Sequence, residues 1–170
     1  MRIKVFANNI LEFHGRRFHC ALGRAGVSDA KHEGDGATPV GAFFLKRLFI
    51  RTDRIARFET GLETQALSPD DGWCDDPDHS AYNQLIKLPF DAGHEALWRE
   101  DHVYDLIIEI SHNDDPVVPG DGSAIFIHIA KPDYAPTEGC VALAKDDLLQ
   151  LLPHWSGNTV IEISEALAPA

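Results

Sequence analysis

Cysteine is scarce: Cys20, Cys74 and Cys140 are the only three in 170 residues. Three cannot build a disulfide framework, and an odd count leaves at least one thiol unpaired within the chain. No CxxC pair occurs. Cys74 has His79 and the carboxylates Asp75, Asp76 and Asp78 nearby. No second Cys/His pair completes a zinc spacing, so no metal is expected and the stretch reads as a solvated acidic loop. Positive charge is also short, with 15 Lys and Arg against 27 Asp and Glu and a formal net charge of -12. That balance argues against nucleic acid as the main partner and gives no attraction to an anionic membrane surface. No apolar run approaches the roughly 20 residues a transmembrane segment needs. The start, "MRIKVFANNI", has neither the apolar h-region nor the small-residue cleavage site of a signal peptide. Read as given, the chain acts in the cytoplasm unless an export signal stands upstream of it. Internal repeats, low-complexity tracts and linkers are missing as well, so one domain over residues 1–170 is expected.

What is present is a succession of short β signals. "RIKVFANNILEFHGRRFHCALGRAG" alternates in patches and turns at His14-Gly15, as a hairpin would. "KHEGDGATPVGAFFLKRLFI" begins with a Gly-rich turn and runs into a strand. The stretch from "ARFETG" to "IKLPF" is dense in turn residues and reads as an exposed loop with one short strand. "HEALWREDHVYDLIIEISHN" starts as a helical turn and becomes the strand "YDLIIEI", while "SAIFIHIA" and "NTVIEIS" read as further strands. "KDDLLQLLPHW" is the best helix, with leucines on one face and Pro153 at its end. The tail "EALAPA" reads as loose. The fold class is mainly β, a sandwich or barrel with a few short helices.

The chemistry gathers in "HIAKPDYAPTEGCVAL", residues 128–143. His128 ends an apolar strand and Cys140 follows 140 − 128 = 12 positions later, across Pro132, Pro136 and Gly139. Those turn residues let the chain fold back and bring an imidazole to a thiol. A cysteine nucleophile acts as thiolate, so a neighbouring base must take its proton. Gly139 would let a substrate approach the backbone, and the N–H groups of Gly139 and Cys140 would form an oxyanion hole. The competing reading makes Cys140 a small buried hydrophobe and His128 a satisfied core histidine.

The same stretch resembles the catalytic segment of the L,D-transpeptidase family, also called YkuD-type domains. The matching residues are His128, Thr137, Gly139, Cys140 and Val141. A second match lies upstream in "EGDGATPVGAFFL", through Gly34, Asp35, Gly36, Thr38, Pro39, Gly41 and Phe43. "GWCDDPDHSAYNQLIKLP" is similar to the loop between those motifs in some members. The likeness runs from about Lys31 to Leu148. Two positions depart from the pattern: the family's histidine beside Gly-Cys is Glu138, and the polar residue two after the cysteine is Ala142. The loop from His128 to Cys140 is also shorter than usual. A bare carboxylate beside the thiol would raise its pKa, so Glu138 is expected to point away, to pair with a cation such as Lys131, or to position His128.

The resemblance implies cysteine acyl transfer on peptidoglycan stem peptides, with no cofactor and a cell-envelope location. Cys140 would attack the carbonyl of the L-centre of a diamino acid and release the terminal D-alanine. The acyl-enzyme would then pass to an amine, or to water in a carboxypeptidase or endopeptidase of the same family. A non-catalytic cell-wall binding module and a cytoplasmic cysteine hydrolase are the rival readings. His128 is the implied base; the Ile129 carbonyl, or another backbone carbonyl, is expected to hold its other ring nitrogen, and the acidic surroundings, with Glu138 adjacent, favour a neutral pair in the free enzyme. A direct His128–Cys140 contact of about 3 to 4 Å is expected. His112 and Asn113, in the polar loop before Pro116, and Tyr134 are candidate cleft residues. Ser123, Trp73, Trp98, Cys20 and Cys74 read as structural.

Overall fold

The computed structural model describes residues 1–169. β1 (Arg2–Phe6) alternates exposed Arg2 and Lys4 with buried Ile3 and Val5, the two-residue period of a strand with one face in a core. β2 (Ile10–Phe13) and β3 (Arg16–Ala21) form the expected hairpin. At its turn His14 and Gly15 have φ of 50° and 75°, both positive, as a type I′ turn requires. β4 (Val27–Ser28) pairs in parallel with β5 (Thr38–Pro39), and the Gly-rich turn lies between them. There follow β6 (Gly41–Ile50), β7 (Glu63–Ala66), β8 (Asp71–Cys74), β9 (Leu85–Lys87), β10 (His94–Ala96), β11 (Leu106–Ile110), β12 (Phe126–Ile129) and β13 (Val141–Leu143). The helix α1 (Lys145–Leu151) and the closing strand β14 (Val160–Ser164) complete the order.

The main sheet runs β11-β12-β13-β3-β2-β1-β14-β6, and β6 pairs again with β11. Eight strands therefore close on themselves as a barrel, with β7 added beside β6. The fold is mainly β, as the sequence predicts. Alternation sends one set of side chains inward: Ile127, Ile129, Val141, Leu143, Ile161 and Ile163 join Trp155 in the interior core. Leu148 and Leu151 of α1 pack into the same core, the apolar helical face anticipated from the leucine spacing.

The opposite faces of β6, β11 and β12 carry a second cluster, made of Phe49, Trp73, Leu97, Tyr104, Ile107, Phe126 and Cys140 among others. It is covered by a small antiparallel sheet, β10-β8-β9. Here the structure corrects the sequence. The segment expected to be an exposed loop with one strand forms β7, β8 and β9, and every residue of β8 is buried. The helical turn expected at the start of "HEALWRE" is instead β10, held on β8 with Glu95 opposite Trp73. Strands of three or four residues are too short to show a period, and their burial comes from Trp73, whose ring meets Phe126 edge-on with centroids 5.1 Å apart. The tail also departs from expectation. Ala7 N–H donates to Ala166 O and Ala168 N–H to Asn8 Oδ1, each at 3.0 Å, which ties it to the β1–β2 turn; Ala170 lies outside the described residues. No helix among the described residues is long and apolar enough to cross a membrane.

Candidate active site

The parallel pairing of β12 and β13 sets Ile127 against Val141, His128 against Ala142 and Ile129 against Leu143. Ile127, Ile129, Val141 and Leu143 point into the barrel, so by alternation His128 and Ala142 point out. Cys140 precedes β13 by one residue and joins the outer cluster with Phe126. Thiol and imidazole thus share one face, on a diagonal across Ala142, and line one cleft of about 510 Å³. His128 is 8% exposed and Cys140 7%.

Ring and thiol are each held by backbone. His128 Nδ1 lies 2.9 Å from the Ile129 carbonyl. A carbonyl only accepts, so Nδ1 carries the hydrogen and Nε2 keeps its lone pair. The Tyr104 ring meets the imidazole edge-on, centroids 5.2 Å apart. The Cys140 thiol donates to Ala124 O at 3.2 Å and accepts from Phe126 N–H at 3.3 Å. It does so in place of the expected bond to His128, because the diagonal register puts Phe126, not His128, beside it. Burial pushes the Cys140 thiol up to about 12, helped by the Glu95 charge and opposed by the Phe126 N–H. Burial pulls His128 down to about 4, against its bond to Ile129. Both groups are therefore neutral at pH 7, as expected, although the carboxylate that acts on the thiol is Glu95 and not Glu138.

The turn before Cys140 is built by Thr137. Its hydroxyl donates to Cys140 O at 2.7 Å and accepts from Gly139 N–H at 3.1 Å. That bond occupies the Gly139 N–H, so of the two N–H groups expected to face an oxyanion only that of Cys140 is left for the role. Gly139 has φ of 142°, and a Cβ there would stand 2.8 Å from the Ala37 carbonyl. What approaches this glycine is thus the chain's own Gly-rich turn. Within that turn Asp35 accepts from the N–H groups of His32 and Ala37 and from Lys31 Nζ. Thr38 Oγ1 accepts from the buried N–H of Gly23 at 2.8 Å, and Gly23 bridges to Thr137. The two sequence motifs, a hundred residues apart, therefore form one bonded unit behind Cys140.

A model of the L,D-transpeptidase catalytic domain, YkuD, matches residues 2–163. The chain belongs to this family. No curated protein matches it. Among solved structures, the helical cell shape determining protein Pgp2 of Campylobacter jejuni is similar at 16% identity and a TM-score of 0.49, over 98% of this chain and 48% of that one. An L,D-transpeptidase from Mycobacterium smegmatis is similar at 11% identity and a TM-score of 0.42, over 96% of this chain and 58% of that one. The chain thus spans about half the length of those structures.

The departures from the L,D-transpeptidase pattern have physical consequences. Glu138 pairs with Arg24 at 2.9 Å, with side chains 79% and 52% exposed; the cation is Arg24, not Lys131, and the carboxylate is drawn from the thiol. Ala142, opposite His128 in the register, offers no polar side chain there. Two sets of candidate cleft residues are not brought to Cys140. His112 Nε2 bonds Asp121 O at 3.0 Å, and Asn113 staples its loop through Val118 O, Val118 N–H and Gly122 O. Tyr134 packs on His19, centroids 4.5 Å apart, in a separate hollow beside Ile129 and Pro132. Three cleft residues escaped the sequence reading: Glu95, Tyr104 and Arg99. Tyr104 OH donates to Glu95 Oε1 at 2.7 Å, and the Arg99 guanidinium lies 5.1 Å over the Tyr104 ring. The only available signal was the run of charged and aromatic residues between "HEALW" and "VYD", which no motif marks.

Proposed function

We propose that this L,D-transpeptidase-family chain transfers an acyl group from a peptidoglycan stem peptide to an amine through Cys140. The supporting observation is the His128 tautomer: Nδ1–H is fixed on Ile129, and the bare Nε2 lies on the same face and in the same cleft as the thiol. With thiol and imidazole both neutral, substrate must break the Cys140–Ala124 bond and turn the sulfur toward Nε2. Nε2 then takes the thiol proton as sulfur bonds the scissile carbonyl carbon. Cys140 N–H steadies the oxyanion. Collapse breaks the carbonyl–nitrogen bond, and the imidazolium returns its proton to the departing D-alanine amine. The acceptor amine repeats the path in reverse: it loses its proton to Nε2, bonds the acyl carbon and expels the sulfur, which recovers that proton. Thr137 and Ile129 hold turn and ring, and Glu138 acts at the rim through Arg24.

Exposure to a carbapenem followed by intact-mass measurement tests this reading. The wild-type chain should gain one adduct on Cys140 and the Cys140→Ser variant none. An unmodified wild-type chain overturns the assignment.

A further inference from the structure

Asn83 lies between β8 and β9, is 9% exposed, and spends every hydrogen bond its amide can make. Its Oδ1 accepts from Trp73 Nε1 at 2.9 Å and from the Ala124 N–H at 3.1 Å. Its Nδ2 donates to His112 O at 3.1 Å and to Asn113 O at 2.7 Å. Two of these partners only donate and two only accept, so the orientation of the amide is fixed. One side chain thus ties together the covering sheet, the polar loop and the segment that enters β12. Ala124, in that segment, has φ of 52°. A Cβ is disfavoured there, so the conformation is imposed by its surroundings. What it achieves lies at the other end of the same residue. Ala124 O accepts the Cys140 S–H at 3.2 Å, and two residues on Phe126 N–H donates to the same sulfur at 3.3 Å. The residue whose N–H is bonded to Asn83 is therefore the residue whose carbonyl holds the thiol. A carbonyl that accepts S–H favours the neutral thiol over the thiolate.

We infer that Asn83 is a positioning residue for Cys140: by fixing Ala124 it holds the thiol in a resting position, turned to the Ala124 carbonyl and not to Nε2 of His128. The inference rests on the acyl-transfer reading above, in which the sulfur must leave Ala124 before it reaches Nε2. It adds where the hold originates, in a side chain 140 − 83 = 57 positions before the cysteine. Since the same amide carries the His112 and Asn113 carbonyls, the polar loop acts on the thiol through Asn83 without touching the cleft.

The test is alkylation by iodoacetamide at pH 8, with each cysteine followed by peptide mass mapping. Asn83 has φ of 56°, so Asn83→Gly deletes the side chain without straining the backbone; Asn83→Ser serves should the glycine variant fold poorly. Either variant should alkylate Cys140 about 3- to 10-fold faster than the wild type, the scale of one lost hydrogen bond. Cys20, fully buried in the barrel core, should stay as unreactive as in the wild type. The infrared S–H stretch of Cys140, isolated by subtracting the spectrum of Cys140→Ser, should move toward that of a free thiol in the same variants. A Cys140 rate within twofold of the wild type overturns the inference. So does a gain that Cys20 matches, because that is general loosening. Carbapenem labelling of the wild type separates the two levels. A labelled enzyme whose variants alkylate no faster loses only the role of Asn83, whereas an unlabelled enzyme loses the acyl-transfer reading and, with it, the purpose of the hold.

Discussion

The carbonyl of Ala37 occupies the space that a Cβ on Gly139 would need, 2.8 Å from its ideal position. Together with φ of 142°, this makes glycine the one residue that fits between the Gly-rich turn and Cys140. Gly139→Ala should destabilise the chain by about 2 kcal/mol and lower its melting temperature by roughly 4–8 °C. It should also slow carbapenem acylation, because relief of the clash moves Cys140. A melt unchanged within 1 °C (about 0.4 kcal/mol) would contradict the contact.

Thr137 bonds both ends of the same turn with one hydroxyl. Thr137→Val keeps the shape and removes both bonds, at a cost of about 1–3 kcal/mol. Thr137→Ser should recover most of the stability and most of the acylation rate. Equal loss in Ser and Val variants would show that packing, not the hydroxyl, is what matters.

Glu138 stands two positions before Cys140 in sequence and pairs at the exposed rim in space. Glu138→Gln should change stability by less than about 0.5 kcal/mol, as exposed ion pairs do, and leave iodoacetamide reactivity of Cys140 within about twofold. A large gain in reactivity would mean that the carboxylate acts on the thiol.

The opposite shifts of Cys140 and His128 set a pH profile for stability. His128 titrates at about 4 when folded against an ordinary value of 6.5, so between those values the unfolded chain binds more protons. Stability is then full above pH 6.5 and falls by about 3 kcal/mol as the pH drops toward 4. Cys140 is raised from 9.0 to about 12. Its contribution is full below pH 9 and is lost as the pH climbs toward 12. Denaturant melts of the wild type and of His128→Gln from pH 4 to 7 should show a shallower acid slope in the variant.

The same shift governs alkylation. A free thiol reaches half ionisation near pH 8.5, so a Cys140 held near 12 should react with iodoacetamide more slowly than free cysteine at pH 8 and keep accelerating beyond pH 9. A plateau below pH 8 would require a thiolate–imidazolium pair.

The sequence carried the barrel strands because their alternation is long enough to read: Ile3 and Val5 in β1, Ile161 and Ile163 in β14. The leucines of α1 were legible for the same reason, and the His14-Gly15 turn by its residue types. The covering sheet was not, since β8, β9 and β10 are short and take their conformation from Trp73 seated on Phe126. In the candidate site, Cys140, His128 and Thr137 could be found through spacing and family likeness. Glu95 and Tyr104 reach the cleft from β10 and from the loop before β11, and nothing local marks a carboxylate that acts on a thiol 140 − 95 = 45 positions away. The partner of Glu138 was likewise hidden: Arg24 is 114 positions distant, while Lys131 looked near.

β1 and β14 lie side by side in parallel, with Arg2 against Val160 and Phe6 against Ser164. β14 fills the gap between β1 and β6, so until residues 160–164 leave the ribosome both wait with an unpaired edge. A nascent chain should therefore expose two sticky strand edges through nearly its whole synthesis. Closure of a loop this long makes the final pairing slow compared with the β2–β3 hairpin. Acyl-transfer competence, which depends on β12 and β13 inside that ring, would then appear only once its last strand has joined.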